Sequence, residues 1–256
     1  VTHLLVLTPS LGRVSLGYRD TFAKLTLECF RRDIRISVSD ETDPGHLVHA
    51  RNVLLATAID SDATHAFWWD ADVSFEPAAV LDLVERPEAM ICRPYPMRAI
   101  DWNAVADCVL EGTGGSDPLK GPAAYFKSAG QRWTMMLEYQ DGKPIWSADR
   151  RLVRVSHCGF GWVLQKIRRS NDLLPSLEHF CFVFRADEKD WRDRRFIRAF
   201  DEAENEHRVT CGEDVSFCRR WLAHDAIWGA VDRHVQNGDQ GGRFADYLNS
   251  YGLGPR

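Results

Sequence analysis

Apolar positions along the chain fall into short runs that alternate with helical stripes. Leu4 to Leu7 is an apolar run closed by Thr8-Pro9-Ser10, which predicts a buried strand meeting a loop. Tyr18 to Phe30 follows a helical pattern, with Phe22, Leu25 and Cys29 on one side. Ile34, Ile36 and Val38 alternate as in a second strand. Asp43-Pro44 carries the signature of a helix start, and the helix it opens is expected to run to about Ile59. Ala66 to Trp69 is apolar throughout, as a central strand covered on both faces would be. Pro77 predicts another helix to about Val84, and Ala89 to Cys92 a fourth strand. This alternation predicts an α/β fold with a mostly parallel central sheet flanked by helices.

From Ala99 to Arg150 the rhythm changes. Glu111-Gly-Thr-Gly-Gly-Ser-Asp-Pro118 is rich in turn residues, and Trp133 to Tyr139 and Leu152 to Val155 alternate as in antiparallel hairpins. Phe160 to Arg169 reads as helical, and residues 171 to 200 are mixed. Glu213 to Leu222 is an amphipathic helix with Val215, Cys218, Trp221 and Leu222 on one face. Ala226 to Val231 is a last strand, and a polar, Gly-rich tail begins at Asn237. No linker sets the middle region apart as an independent unit.

The chain has 256 residues, 45% apolar and 27% charged, enough for one large α/β unit with a substantial core. The formal charge of −5 differs from that of a strongly basic nucleic-acid binder. Basic runs at Arg150, Arg151 and Arg154, at Lys166, Arg168 and Arg169, and at Arg192 to Arg198 read as solvated helix faces, with a polyanionic acceptor as the alternative. Seven scattered cysteines without a CxxC pair point to a reducing, cytoplasmic setting and no disulfide framework. No apolar run approaches the ~20 residues of a membrane span. Nine Trp residues are more often core than sugar-stacking surface.

Trp68-Trp69-Asp70-Ala71-Asp72 is the most informative stretch. Carboxylates at i and i+2 of an extended chain lie on the same side. They fall at the carboxyl end of a strand, where open α/β sheets bind ligands. Two hard oxygen anions there suit Mg²⁺ or Mn²⁺, which in turn binds phosphates; an Asp-rich turn capping the next helix is the competing reading. Arg51 lies in or beside the apolar stripe Leu47, Leu54, Ala58 of the preceding helix. A buried Arg there needs a partner, either an Asp of the 70/72 pair or a ligand phosphate, unless it snorkels to solvent. Gly212-Glu213-Asp214 opens the amphipathic helix. Chemistry alone favours a cap that answers the helix dipole, and the alternative is a general base facing a cleft.

Other nucleotide enzymes lack their signatures here. Thr8-Pro-Ser-Leu-Gly-Arg13 does not match the GxGxxG of a nicotinamide-binding turn, and no GxxxxGK[ST] is present. His46 and His49 have no convincing third partner for a zinc site.

In order and spacing, Thr8-Pro9, His49-Ala-Arg51-Asn52, Ala63 to Asp72, Phe75, Pro77, Tyr95-Pro-Met-Arg98, Gly159-Phe160-Gly161, Phe200-Asp201 and Gly212 to Trp221 resemble the nucleotide-diphospho-sugar glycosyltransferases of the GT-A fold. The likeness is to the small bacterial and viral members related to family 2, and it covers most of residues 1 to 238. It implies a nucleotide-sugar half (1–98), an acceptor-side half (99–238) and a tail (239–256). It further implies a metal-dependent transferase that uses Mn²⁺ or Mg²⁺. The donor implied is a nucleotide-diphosphate sugar, UDP- or GDP-linked. The acceptor is a hydroxyl on a glycan, a lipid-linked group, a protein or a modified nucleic acid.

By the same resemblance Asp72 binds the metal, and Asp70 contacts the ribose or the metal through water. Thr8 and Pro9 lie at the nucleobase, and Arg51 near the diphosphate or sugar. Gly159 and Gly161 lie near the donor sugar or acceptor. Glu213 or Asp214 is the acceptor-side carboxylate. His234 and Asn237 are the two candidates for a third metal ligand. A catalytically inactive sugar-binding module of the same fold is the rival, although the acidic groups it would be expected to lose are all present. A transferase acting on nucleic acid would need a basic groove, from Arg93, Arg98, Arg150 and Arg151.

Overall fold

The computed structural model of the chain describes residues 1–10, 12–42, 46–100, 102–103, 106, 131–168, 175–184, 187–189, 195–204, 210–232, 235–237 and 240–241. Its centre is an eight-stranded sheet. The strands are β1 (His3–Ser10), β2 (Arg35–Thr42), β3 (His65–Trp69), β4 (Met90–Cys92), β5 (Met135–Leu137), β6 (Leu152–Cys158), β7 (Trp162–Lys166) and β8 (Ile227–Ala230). Their spatial order is β2-β1-β3-β7-β4-β8-β6-β5. The pairs β1–β2, β1–β3 and β4–β8 are parallel, and the other four are antiparallel. Six strands therefore share one direction, while β6 and β7 run against them and make the sheet mixed.

The helices are α1 (Leu16–Arg31), α2 (Leu47–Asp60), α3 (Ala78–Leu81), α4 (Leu177–Phe184) and α5 (Glu213–Leu222). Strand alternation explains how they layer. Leu5, Leu7, Ala66 and Trp68 enter one core with Leu54 of α2, Phe217 and Trp221 of α5, and Phe160 and Phe200. Leu4, Val6, Phe67 and Trp69 point the other way, to Tyr18 and Leu25 of α1, Phe75, Ala79 and Trp162. All five residues of β3 are buried because both faces of the strand are covered. Trp68, Trp69, Trp162 and Trp221 are wholly buried, so these four Trp build the core. The Trp68 indole nitrogen donates to Gln165 Oε1 (2.7 Å), which satisfies two polar groups inside it.

Several expected elements differ in detail. Residues 160–169, read as a helix, contain β7, paired on one side with β3 and on the other with β4. Trp162, Val163 and Leu164 are all buried there, and a continuous apolar run is compatible with either element. The helix expected from Pro77 to Val84 is a single turn, α3, followed by turns. The start expected at Asp43-Pro44 lies outside the described residues; α2 begins at Leu47, with His46 at the N-cap position and no side-chain hydrogen bond from it. The segment read as mixed holds α4. Among the described residues no helix is long and apolar enough to cross a membrane.

Arg168, read as part of a solvated basic run, instead reaches back under α2. Its guanidinium donates to Ile59 O and Ser61 O, both at 2.5 Å. A cation on the last carbonyls of a helix satisfies orphan acceptors and answers the dipole.

Candidate functional site

β1 and β3 run in parallel with Leu7 opposite Trp68; Thr8-Pro9-Ser10, expected as a loop, continues β1 alongside β2, and lies at the same end of the sheet as Asp70. Asp70 follows the last residue of β3, and its N–H donates to Gly161 O (3.2 Å) just before β7. α5 begins nearby, because Phe217 and Trp221 pack into the core that holds Trp68 and Phe160. Carboxylates from two distant parts of the sequence therefore meet at one edge.

Arg51 brings them together. α2 carries it into the core side of the sheet, where its side chain is 2% exposed. The guanidinium pairs with Asp214, with Glu213 (3.0 Å) and with Asp70 (3.5 Å). Its carbon also lies over the Phe160 and Phe200 rings, at 5.8 and 5.7 Å. Burial alone would pull the Arg51 pKa down, but the attraction of Asp214, Asp70 and Glu213 outweighs it and holds the guanidinium charged.

The carboxylates respond in the opposite sense. Burial pushes Asp214 up to about 6, against the pull of Arg51 and with help from the negative charges of Glu213 and Asp70. Burial likewise raises Asp70, again opposed by Arg51 and aided by Asp72. Asp214 also accepts from the Phe160 N–H (3.1 Å). Its two oxygens are thus held by a charged donor and a backbone donor.

The Gly159–Gly161 turn is closed from above by Tyr95. Its hydroxyl accepts from the Gly161 N–H (2.8 Å). A Cβ on Gly161 would stand 2.5 Å from that hydroxyl and 2.6 Å from Asp70 Oδ2, and one on Gly159 would stand 2.6 Å from the hydroxyl. Only glycine fits at either position, and the protein's own side chains fill the space. Burial, and then the charges of Asp70 and Asp214, push the Tyr95 phenol well above its usual range.

No family model and no curated protein matches this chain. Among solved structures it is similar to a glycosyltransferase involved in the glycosylation of the major capsid of PBCV-1, at 14% identity and a TM-score of 0.26, over 36% of this chain and 50% of that one. It is also similar to S. aureus TarS 1–349, at 11% identity and a TM-score of 0.33, over 97% of this chain and 63% of that one. The chain thus spans half the length of the first and under two thirds of the second.

Of the residues singled out from sequence, Arg51, Asp70, Glu213 and Asp214 come together, with Gly159 and Gly161 beside them. Arg51 takes Asp70 as a partner, one of the alternatives its place in the stripe left open, together with Glu213 and Asp214. Thr8 lies at the same sheet edge, but its hydroxyl is committed to the Tyr18 hydroxyl (2.7 Å) inside the core, and Pro9 is buried too. Asp72 is half-buried, in the turn after Asp70. Asn237 lies in a short strand, Val235–Asn237, paired with Val73–Phe75, and its Cα partner is Val73, next to Asp72. His234 lies outside the described residues.

The basic groove imagined for a nucleic-acid partner does not form around Arg93. That side chain is fully buried, donating to Ala79 O (2.7 Å) and Asp232 (2.8 Å) and lying over Trp162. The Arg98 side chain is outside the described part.

Three site residues were not marked as functional from sequence. Tyr95 was noted only within a longer matched stretch. Asn52 was noted likewise; it accepts from the Phe200 N–H (3.0 Å) and donates to Asp201 (2.7 Å). Phe160 supplies both a ring and an N–H. A polar residue beside Arg51 on a largely buried helix is the signal that could have found Asn52.

Proposed function

We propose that the chain is a metal-dependent glycosyltransferase that moves a sugar from a nucleotide-diphosphate donor to an acceptor hydroxyl. The observation that carries this reading is the buried Arg51, which gathers Asp70 from the end of β3 and Glu213 and Asp214 from the start of α5. One guanidinium would thereby hold a donor-side and an acceptor-side carboxylate close together, as a displacement between two aligned groups can use.

The donor set fits a divalent ion shared with a substrate. Among the described residues no group of three or more His, Cys, Asp or Glu could hold a metal by itself. Mg²⁺ and Mn²⁺ sites commonly use one or two carboxylates and complete their shell with phosphate and water. Asp72 would hold the ion, with Asp70 beside it and Asn237 across the Val73–Phe75 pairing. The bound ion would neutralise charge on the diphosphate as it leaves. Asp70, tied to Arg51 and to the backbone of Gly161, would fix the donor end. Asp214, raised by burial to about 6 and held by two fixed donors, would be the group to accept the acceptor hydroxyl's proton.

A panel of nucleotide sugars, each with and without Mn²⁺, tests the reading by thermal shift and by release of nucleoside diphosphate. A metal-dependent rise in melting temperature with one donor, together with turnover, is the expected result, and both are lost in Asp72→Ala. Near-normal turnover in Asp72→Ala would remove that residue from the site. No response to any donor in a folded sample would favour a binding module over an enzyme.

A further inference from the structure

Tyr95 does more than fill the core. It leaves the sheet just after β4, and its hydroxyl packs against the Gly159–Gly161 turn. The turn connects to both sides of the candidate site by separate hydrogen bonds. Gly161 O accepts from the Asp70 N–H, and the Phe160 N–H donates to Asp214. One hydroxyl, accepting from the Gly161 N–H, therefore holds the segment on which both carboxylates are hung.

The packing makes the arrangement sensitive to small shifts. The missing Cβ atoms of Gly159 and Gly161 are what let the hydroxyl approach. Thr134 braces Tyr95 from behind. Its hydroxyl accepts from the Tyr95 N–H (3.2 Å), and its own N–H donates to Tyr95 O (3.1 Å). Thr134 O in turn accepts from the Gly159 N–H (2.6 Å). Tyr95, Thr134 and the glycine turn form one hydrogen-bonded unit on three segments of the chain. Because the phenol accepts from Gly161, its own proton remains available to donate, in surroundings charged by Asp70, Asp214 and Arg51.

We infer that Tyr95 is a positioning residue for the transfer reaction: its hydroxyl fixes the Gly159–Gly161 turn, and the turn sets the spacing between the donor-side Asp70 and the acceptor-side Asp214. The inference rests on the proposed transferase reading. Tyr95 acts through the turn and is not itself placed in contact with a substrate.

Tyr95→Phe keeps the ring and deletes the one atom at issue, so the variant is expected to fold. Two measurements on the full chain test it. The first is amide hydrogen exchange without ligand: the Phe160, Gly161 and Asp70 amides are expected to exchange roughly tenfold faster or more, while those of β1 keep their protection. The second is steady-state kinetics with the donor found above: kcat is expected to fall roughly tenfold to a hundredfold with donor KM within about twofold, as for lost alignment and not lost binding. Tyr95→Ala, which also empties the space, should lower both kcat and stability, and separates packing from hydroxyl.

Unchanged exchange at Phe160 and Gly161 in Tyr95→Phe would overturn the inference, whatever the kinetics. A rise in KM with unchanged kcat would overturn it too, because it would make Tyr95 a binding residue. If the wild-type chain transfers no sugar, the transferase reading fails on that result. The exchange experiment still decides whether the hydroxyl holds the turn.

Discussion

At the scale of single residues, Arg51 decides how the site is held. A guanidinium this deep is tolerated because three carboxylates and two aromatic faces surround it. Removing it leaves those carboxylates close together with no shared cation, so Arg51→Ala is expected to cost about 3 kcal/mol or more of stability. The loss should shrink as pH falls from 8 to 5, because protonation relieves the repulsion; chemical denaturation at the two pH values reads this directly. Asp214 gives a second pH signature. Its folded pKa, about 6, is above that of an unfolded Asp, so the native state binds the extra proton. The resulting stability is fully present below the unfolded value of about 4 and is lost as pH rises through 6. In Asp214→Asn that pH-dependent component should vanish, so the stability difference between variant and wild type should change between pH 5 and 8; an unchanging difference would place the titration elsewhere.

At the scale of elements, the ends of helices and strands do the positioning. α2 presents Arg51 to the site, and its far end is closed by Arg168 on the carbonyls of Ile59 and Ser61. Arg168→Ala is expected to cost about 1 kcal/mol, measured as a lower denaturant midpoint with an unchanged slope. The elements that the sequence announced most clearly are those with one-sided chemistry. α5 has the bounds Glu213–Leu222 that its periodicity indicated, although its buried face is Ser216, Phe217, Cys218 and Trp221, with Val215 and Leu222 only half-buried. β3 declared itself by four apolar residues, Ala66 to Trp69, followed directly by a carboxylate. β7 did not, because Trp162 to Leu164 are buried on both faces, and nothing in a short apolar run distinguishes strand from helix. The site was legible to the same extent. Asp70, Arg51 and Glu213-Asp214 stand out as charges in apolar or helix-start settings. Tyr95 does not, since its role depends on glycines 64 and 66 positions away that only the fold brings beneath it.

At the scale of the whole molecule, β7, which comes from the later part of the chain, is inserted as a seam between β3 and β4 of the first hundred residues. Both faces of this seam are covered, and the two cores meet across it. The region of mixed rhythm is therefore expected to share one cooperative unit with the first hundred residues. Denaturation followed by tryptophan fluorescence and by far-UV circular dichroism should give coincident transitions; two separated midpoints would divide the chain into independent halves.

The ion network around Arg51 has one more consequence, for the history of the sequence. Positions 51, 70, 213 and 214 share a single charge balance although up to 163 residues of chain separate them. A change of sign at any one of them leaves the others mismatched in a space that water cannot readily correct. Natural variants of this protein are therefore expected to keep these four residues as a set or exchange them together, while the exposed charges of α1 drift freely.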